Sequence, residues 1–361
     1  MAPRFHELTV AAIERHTPDA VAVAFDIPET LKPDFDFAPG QYLTLAAEID
    51  GEDVRRSYSI CSAPGDSHLR VGVKKIADGR FSRFVNERLS VGDTIRVMTP
   101  EGRFTPKLGG ERRQDYILVA AGSGITPMLS IARTVLGHEP ESTITLVYGN
   151  RSSDQIMFLE EIGDLKDRYM GRFTLINVLS REKQDVDLFN GRVDGGRILA
   201  FADRGLVDLQ SADGIFLCGP GEMIEDVTAA LKRAGVDESR VRFERFTPSG
   251  EAPKPRPRSA KAAEAAAKGV AIDVVLDGVR RSFSMGEDAP TVLDAAHKAG
   301  LELPYSCAGG MCCTCRCRVV EGESEMAVNF SLEPWEIEAG FTLACQTRPL
   351  SDRLVLDFDA V

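Results

Sequence analysis

Cys307-Ala308-Gly309-Gly310-Met311-Cys312-Cys313-Thr314-Cys315 puts three well-spaced thiols in one loop, and Cys345 follows far downstream. The spacing C-x4-C-x2-C…C is that of plant-type [2Fe–2S] centres. Small residues between the first two cysteines let backbone N–H groups turn toward the sulfurs. A cluster needs four thiolates, and this loop supplies three of them from one side. A zinc site drawn from four of the six nearby cysteines stays open at this point, although zinc ribbons use paired C-x2-C knuckles. Cys313 and Cys317 read most simply as non-ligands, since Cys317 begins the expected strand Arg316–Val320. Cys61 reads as structural.

Six of the eight cysteines lie between Cys307 and Cys345. In a secreted chain that density means disulfides, and in a cytosolic one it means metal. The start, Met1-Ala2-Pro3-Arg4-Phe5-His6-Glu7, has no signal-peptide core, and no apolar run reaches the length of a membrane helix. A cytoplasmic protein without a membrane partner is expected. The chain has 361 residues, 43% apolar and 27% charged, which fits two or three soluble domains. The net charge of −12 argues against nucleic acid as the main partner. From Val270 to Val361 there are 15 acidic and 7 basic residues, so this stretch carries −8 of that charge. Such a surface is either simply solvated or steers docking on a basic partner.

Upstream of the cysteines, Thr247–Gly269 marks a boundary. Its first half, through Arg258, is Pro-rich and sustains neither a helix nor a central strand. Its second half, Ser259–Lys268, is Ala-rich and weakly helical, and is expected to supply no core face. The whole reads as a tether. Residues 5–106 alternate in short strands separated by Pro39-Gly40, Asp50-Gly51 and Pro64-Gly65, the pattern of an antiparallel barrel, with one helix at Ser82–Leu89. Residues 115–245 switch to strand–helix alternation, the pattern of a doubly wound parallel sheet. Helices are expected at Pro127–Leu136, Ser153–Arg168, Arg192–Phe201 and Gly221–Ala234. The expected domains are 1–108, 109–247 and 270–361, with 248–269 as linker.

Four further motifs bear chemistry. Arg56-Ser57-Tyr58-Ser59 offers a phosphate clamp, a flat ring for stacking and a hydroxyl, or is simply a half-exposed strand. Gly79-Arg80-Phe81-Ser82 opens a helix whose N-terminus suits phosphate. Gly122-Ser123-Gly124-Ile125-Thr126-Pro127 follows an apolar strand, with Thr126 placed to cap the next helix and Pro127 in its first turn. It is either a pyrophosphate cradle or a plain Gly-rich turn. Cys218-Gly219-Pro220-Gly221 follows another apolar strand and belongs to the same edge of the sheet.

Arg56-x-Tyr58-Ser59, Gly122-x-Gly124-x-x-Pro127 and Cys218-Gly219-Pro220, in this order, resemble the ferredoxin–NADP reductase superfamily. The ferredoxin motif behind them resembles reductase components of bacterial oxygenases, over essentially the whole chain. Met311-Cys312-Cys313-Thr314-Cys315, Glu321-Gly322-Glu323, Ala339-Gly340-Phe341 and Cys345-Gln346-Thr347-Arg348-Pro349-Leu350 are similar to the family of phenylacetyl-CoA epoxidase reductase subunits. The resemblance implies a multidomain α+β chain: an antiparallel β-barrel flavin domain, a doubly wound α/β nicotinamide-binding domain and a β-grasp [2Fe–2S] ferredoxin domain.

It also implies roles. Arg56, Tyr58 and Ser59 hold FAD, with Ser59 near flavin N5, while Val73, Lys74, Gly79, Phe81 and Ser82 line its ring and phosphates. Gly122, Gly124, Thr126 and Pro127 take the dinucleotide. Cys218, with Gly219 and Pro220, lies near the nicotinamide, and Glu244 and Phe246 approach the flavin. Cys307, Cys312, Cys315 and Cys345 ligate the cluster. Ser59, Cys218 and Glu244 are the expected catalytic set. Ser180-Arg181, with Arg151, resembles the pair that reads a 2′-phosphate, favouring NADPH over NADH. Electrons then pass from NADPH through FAD and the cluster to the oxygenase subunits of a multicomponent monooxygenase.

Overall fold

The computed structural model describes residues 4–109, 113–246 and 256–360. They form two compact units, one built by residues 6–54 and 58–246, the other containing residues 256–360.

The first unit opens with β1 (Phe5–Thr17), β2 (Ala20–Asp26), β3 (Tyr42–Ile49), β4 (Glu52–Ser59), β5 (Leu69–Lys74) and β6 (Thr94–Met98). They form one sheet in the order β4-β3-β6-β1-β2-β5. A lone bridge between Ile60 and Val71 ties the end of β4 to β5 and so closes the sheet into a barrel. The period-2 apolar residues, among them Val21, Val23, Phe25, Leu43, Leu45, Val71 and Val97, fill its interior. Helix α1 (Arg80–Glu87) adds Phe81 and Val85 to that core. It starts two residues before the expected Ser82, because the Ser82 hydroxyl is spent on the preceding turn. Its Oγ accepts the Ile76 N–H at 3.2 Å.

Next come β7 (Asp115–Ala121), β8 (Thr143–Asn150), β9 (Phe173–Leu179), β10 (Gly214–Gly219) and β11 (Val241–Arg245), all parallel, in the order β11-β10-β7-β8-β9. Helices α2 (Ile125–His138), α3 (Leu159–Arg168), α4 (Gly195–Asp203) and α5 (Gly221–Arg233) follow the strands. Alternation along β7 sends Leu118 and Ala120 into a core with Met128 and Leu129 of α2. It sends Ile117 and Val119 into a second core with Ile198 of α4 and Val227 of α5. Helix α3 begins at Leu159, not Ser153. Ile156, Met157 and Phe158 turn inward to be buried, and Phe158 sits at φ 59, which no helix continues through. Helix α4 begins after Asp194, whose carboxylate accepts the Arg197 N–H at 2.7 Å, three residues beyond the expected Arg192.

In the second unit, residues 247–255 of the expected tether lie outside the described residues. Its later half departs from expectation. Helix α6 (Ala260–Lys268), capped by Ser259, buries Ala262, Ala265 and Ala266, and Ala265 joins the core. Alanines spaced three and four apart make a flat stripe that packs closely. The strands are β12 (Val270–Leu276), β13 (Val279–Met285), β14 (Arg316–Glu321), β15 (Ser324–Met326), β16 (Phe341–Leu343), β17 (Thr347–Pro349) and β18 (Arg353–Asp357). The main sheet runs β13-β12-β18-β14-β16, with β12 and β18 parallel and its other pairs antiparallel. Helix α7 (Val292–Lys298) lays Val292, Leu293 and Ala296 on it, the arrangement of a β-grasp. A short α8 (Pro334–Glu338) precedes β16. Among the described residues, no helix is long and apolar enough to cross a membrane.

Candidate active site and cluster loop

In the parallel sheet, β7 has β8 on one side and β10 on the other, so the winding reverses there. Ligands of such sheets bind beyond the strand ends at that reversal. Both Gly-rich motifs sit there. Gly122–Gly124 forms a tight turn between β7 and α2, with Gly122 at φ 55 and open space where its Cβ would be. A Cβ on Gly124 would lie 2.1 Å from the Cys218 carbonyl oxygen, so only glycine lets the two turns meet.

Thr126 does not cap α2. It is the helix's second residue, buried, and its hydroxyl donates to the Ser123 carbonyl at 3.0 Å. Pro127 lies in the first turn as expected. Among the described residues no side chain caps α1, α2 or α5; the first N–H of α2, on Ile125, is taken by the Gly122 and Ser123 carbonyls, and the first N–H groups of α1 and α5 are left for other acceptors. Open space at Gly122 and uncapped N-termini on α1 and α2 fit two phosphate-bearing ligands.

Cys218 is fully buried on β10, where it pairs with Ala120 of β7 and with Glu244 of β11. Burial, and then the neighbouring Glu244, pushes its thiol well above the ordinary range. Glu244 sits in a recess, ringed by protein with part of its surface open. Desolvation there raises its carboxyl to about 7, opposed by one hydrogen bond. That bond comes from the Ser59 hydroxyl, which donates to Glu244 Oε2 at 2.9 Å. Ser59, buried at the end of β4, thus meets the last strand of the parallel sheet. Phe246 follows β11, half-buried against the same core, its N–H donating to the Gly219 carbonyl at 3.4 Å.

The other expected flavin residues divide into two groups. Arg56 is exposed on β4, donating to the Arg55 carbonyl at 2.7 Å, and Tyr58 lies half-buried with its ring 5.9 Å from that of Phe81. Lys74 is half-exposed, 3.6 Å from Asp19. Val73 and Phe81, in contrast, bury their side chains inside the barrel, so only their backbones face outward chemistry. Gly79 precedes α1, and a Cβ there would strike Ser82 Oγ at 2.3 Å. Gly72 went unnoticed in the sequence: a Cβ there would lie 2.3 Å from Thr126 Cγ2, where the barrel meets α2. A lone glycine inside an apolar strand was the available signal.

At the far edge of the nucleotide sheet, Ser180 Oγ donates to the Asn150 carbonyl at 3.3 Å and Arg181 N–H to the Arg151 carbonyl at 2.7 Å. This brings the loops after β8 and β9 together. Among the described residues, neither exposed guanidinium has an ion-pair partner, and Glu182 is held instead by Ser153 at 2.7 and 2.8 Å.

In the cluster loop, Gly309 N–H points at Cys307 Sγ (3.3 Å) and Cys307 N–H at Cys312 Sγ (3.5 Å). Positive φ at Ala308 (49), Gly310 (76) and Cys313 (59) turns the backbone this way. Gln346 Nε2, another residue not foreseen, donates to Cys345 Sγ at 3.5 Å and to the Ala308 carbonyl at 3.0 Å. Cys307 hydrogen-bonds with Cys312, and Cys315 with Cys345. The Cys312 thiol, with the N–H groups of Gly309, Met311 and Cys312, pulls Cys307 down to about 5, while Cys315 lowers Cys345. Each pair holds one thiol pulled down and one, Cys312 or Cys315, pushed up by its partner and by burial, and four sulfurs gathered in two pairs suit a centre with two iron ions. Cys317 is buried in the core with its thiol pushed up by burial, and Cys313 packs half-buried against the same core.

The chain matches family models for an oxidoreductase FAD-binding domain at 7–105, an oxidoreductase NAD-binding domain at 118–229 and a 2Fe-2S iron–sulfur cluster binding domain at 274–350. It is an NAD(P)H-dependent flavin and iron–sulfur oxidoreductase, and it belongs to the family of electron-transferring reductase components of oxygenases. Among its relatives, a subunit of the 1,2-phenylacetyl-CoA epoxidase of Escherichia coli K12 is 43% identical over 99% of this chain and 98% of its own length. The ferredoxin reductase component of 3-ketosteroid-9-alpha-monooxygenase from Rhodococcus rhodochrous is 34% identical over 97% of this chain and 96% of its own. Phthalate dioxygenase reductase shares the fold, with a TM-score of 0.59 at 22% identity over 98% of both chains.

Proposed function

We propose that this chain is the reductase component that supplies electrons from NADPH, through FAD and a [2Fe–2S] cluster, to an oxygenase that epoxidises phenylacetyl-CoA. The 43% identity to the Escherichia coli epoxidase component, over nearly the full length of both chains, carries this reading. Held by this chain, FAD would supply the acceptor for a hydride from the nicotinamide, and a [2Fe–2S] cluster would supply one-electron transfer to the partner.

The chain's own residues do the rest. FAD is held by Arg56, Tyr58 and Ser59, by the backbone at Val73 and Lys74, and by the turn at Gly79, Phe81 and Ser82. Gly122, Gly124, Thr126 and Pro127 shape the dinucleotide cradle against Cys218, Gly219 and Pro220. The neutral Cys218 thiol makes a small apolar floor there. Glu244 keeps a proton near neutral pH and is in reach of Ser59 Oγ, so the pair relays a proton at the flavin edge. Phe246 shields that recess until nicotinamide displaces it. Cys307, Cys312, Cys315 and Cys345 would ligate the cluster. Arg151 and Arg181, with Ser180, read the 2′-phosphate of NADPH, supported by guanidiniums that, among the described residues, no carboxylate neutralises. Domain limits near 108, 247 and 269 follow from the same reading, as does a cytoplasmic location, where eight cysteines outside any disulfide stay reduced.

The match to a 3-ketosteroid monooxygenase reductase component favours a second reading, service to another oxygenase. Reconstitution with the oxygenase components of 1,2-phenylacetyl-CoA epoxidase decides between them. NADPH-driven epoxidation of phenylacetyl-CoA supports the first, and NADPH oxidation without product supports the second.

A further inference from the structure

We infer that Tyr148, which lies outside the proposed nucleotide-binding set, is the positioning residue of the dinucleotide cradle. Its phenol holds the Gly122–Ser123 peptide so that the Ser123 N–H faces the pyrophosphate. The inference rests on the cradle proposed at Gly122, Gly124, Thr126 and Pro127.

Tyr148 lies on β8, opposite Ala120 of β7. Alternation along β8 sends Ile144, Leu146 and Tyr148 into the core that α2 shares. Tyr148 is fully buried there. An aliphatic residue or phenylalanine would fill such a position, whereas a buried phenol needs a hydrogen-bond partner. Tyr148 finds it in the cradle: its hydroxyl donates to the Gly122 carbonyl at 2.9 Å. Burial pushes the phenol well above its ordinary range, so it keeps its proton and stays a donor.

The Gly122 carbonyl has two acceptor directions. The Ile125 N–H takes one and the Tyr148 hydroxyl the other. Two donors from different elements fix the plane of the Gly122–Ser123 peptide. That peptide is trans, so its C=O and N–H point opposite ways. With the carbonyl drawn toward Tyr148, the Ser123 N–H is turned away from the core. Gly122 has φ 55, and open space lies where its Cβ would be. Glycine makes this orientation accessible among many others, and the phenol selects it. Backbone N–H groups at a helix start are natural pyrophosphate donors. One that is fixed before binding loses less entropy on binding.

Tyr148 also opens the run Tyr148-Gly149-Asn150-Arg151, which ends on an arginine proposed for the 2′-phosphate. The two side chains divide the nucleotide between them. NADPH and NADH share the pyrophosphate, so Tyr148 serves both alike. Arg151 serves only the nucleotide that carries the extra phosphate.

The test uses the full-length holoenzyme. Tyr148→Phe keeps the ring in the core and removes only the hydroxyl. KM for NADPH and KM for NADH should each rise about tenfold. The inhibition constant of ADP-ribose, which carries the pyrophosphate without a nicotinamide, should rise in parallel. The limiting rate of flavin reduction at saturating NADPH should stay within about twofold of wild type, the mark of lost binding with chemistry intact. Unchanged KM values for both nucleotides overturn the inference. A rise confined to NADPH overturns it too, because the phenol then acts at the 2′-phosphate. So does a slower limiting rate with KM unchanged, because Tyr148 then serves the flavin end or the fold alone. Gly124→Ala separates the inference from the reading beneath it. If Gly124→Ala raises both KM values and Tyr148→Phe raises neither, the cradle stands and the role of Tyr148 falls. If neither variant moves either KM, the cradle falls and the inference falls with it.

Discussion

Ser59 and Glu244 lie 185 residues apart in sequence, yet the Ser59 hydroxyl donates to the Glu244 carboxyl at 2.9 Å. The bond joins the end of a barrel strand to the last strand of the nucleotide sheet, so two separately patterned segments build one proton-holding pair. Burial raises Glu244 to about 7 from an ordinary 4.5. A raised carboxyl binds its proton more tightly folded than unfolded. Between about pH 4.5 and 7 the folded chain therefore holds the extra proton, and stability declines as pH rises through that window.

The same titration should show in rate. Flavin reduction by NADPH, followed at single turnover, should fall as pH rises through about 7 in the wild type. Glu244→Gln should flatten that limb and lower the rate about a hundredfold, within the usual range for lost acid–base help. A wild-type profile flat from pH 6 to 8 would remove Glu244 from the proton path.

Gly124→Ala places a methyl group 2.1 Å from the Cys218 carbonyl oxygen, against the Cys218–Gly219 backbone. Overpacking of this kind costs about 1–3 kcal/mol. Thermal unfolding should shift down by several degrees, and KM for NADPH should rise more than tenfold, because the turn cannot close. Gly163→Ala, in open space on α3, serves as the control with little change in either.

Arg181→Ala and Arg151→Ala should each raise KM for NADPH about tenfold or more and leave that for NADH within about twofold, since a bidentate phosphate contact is lost. Steady-state kinetics with both nucleotides measures this. Equal losses for the two would assign the arginines to the adenine end without any role for the 2′-phosphate.

Cys307→Ser should lose iron and cytochrome c reduction and still reduce its flavin with NADPH. Cys313→Ser and Cys317→Ser should keep about two irons per chain, as expected of bystanders in a two-iron site. Iron analysis together with the visible spectrum distinguishes them. Retention of iron by Cys307→Ser, with loss in Cys313→Ser, would reassign the ligand.

Much of this was legible from one dimension. Alternation of period two in residues 5–106, and strand–helix alternation after 115, give the two architectures because side-chain direction along a strand is a local property. The helix starts were less legible. Phe158 adopts a left-handed backbone so that Ile156 and Met157 are buried, and no local propensity predicts that for phenylalanine. Thr126 reads as a cap by residue type, yet its hydroxyl serves the turn before its helix, and the Ser82 hydroxyl likewise bonds back to the turn before α1. The Ala-rich helix α6 looked like a spacer because alanine carries no strong hydrophobic signal, and its packing rests on shape.

The sequence by itself determined the thiol set, the two Gly-rich turns and the order of the three modules, because each is written in contiguous residues whose spacing limits their chemistry. Only the tertiary structure decided that Gly124 abuts Cys218, that Ser59 reaches Glu244, and that Cys307 pairs with Cys312 and Cys315 with Cys345. Those contacts depend on strand order and loop direction. These are set by burying the whole apolar surface at once, and no local stretch encodes them.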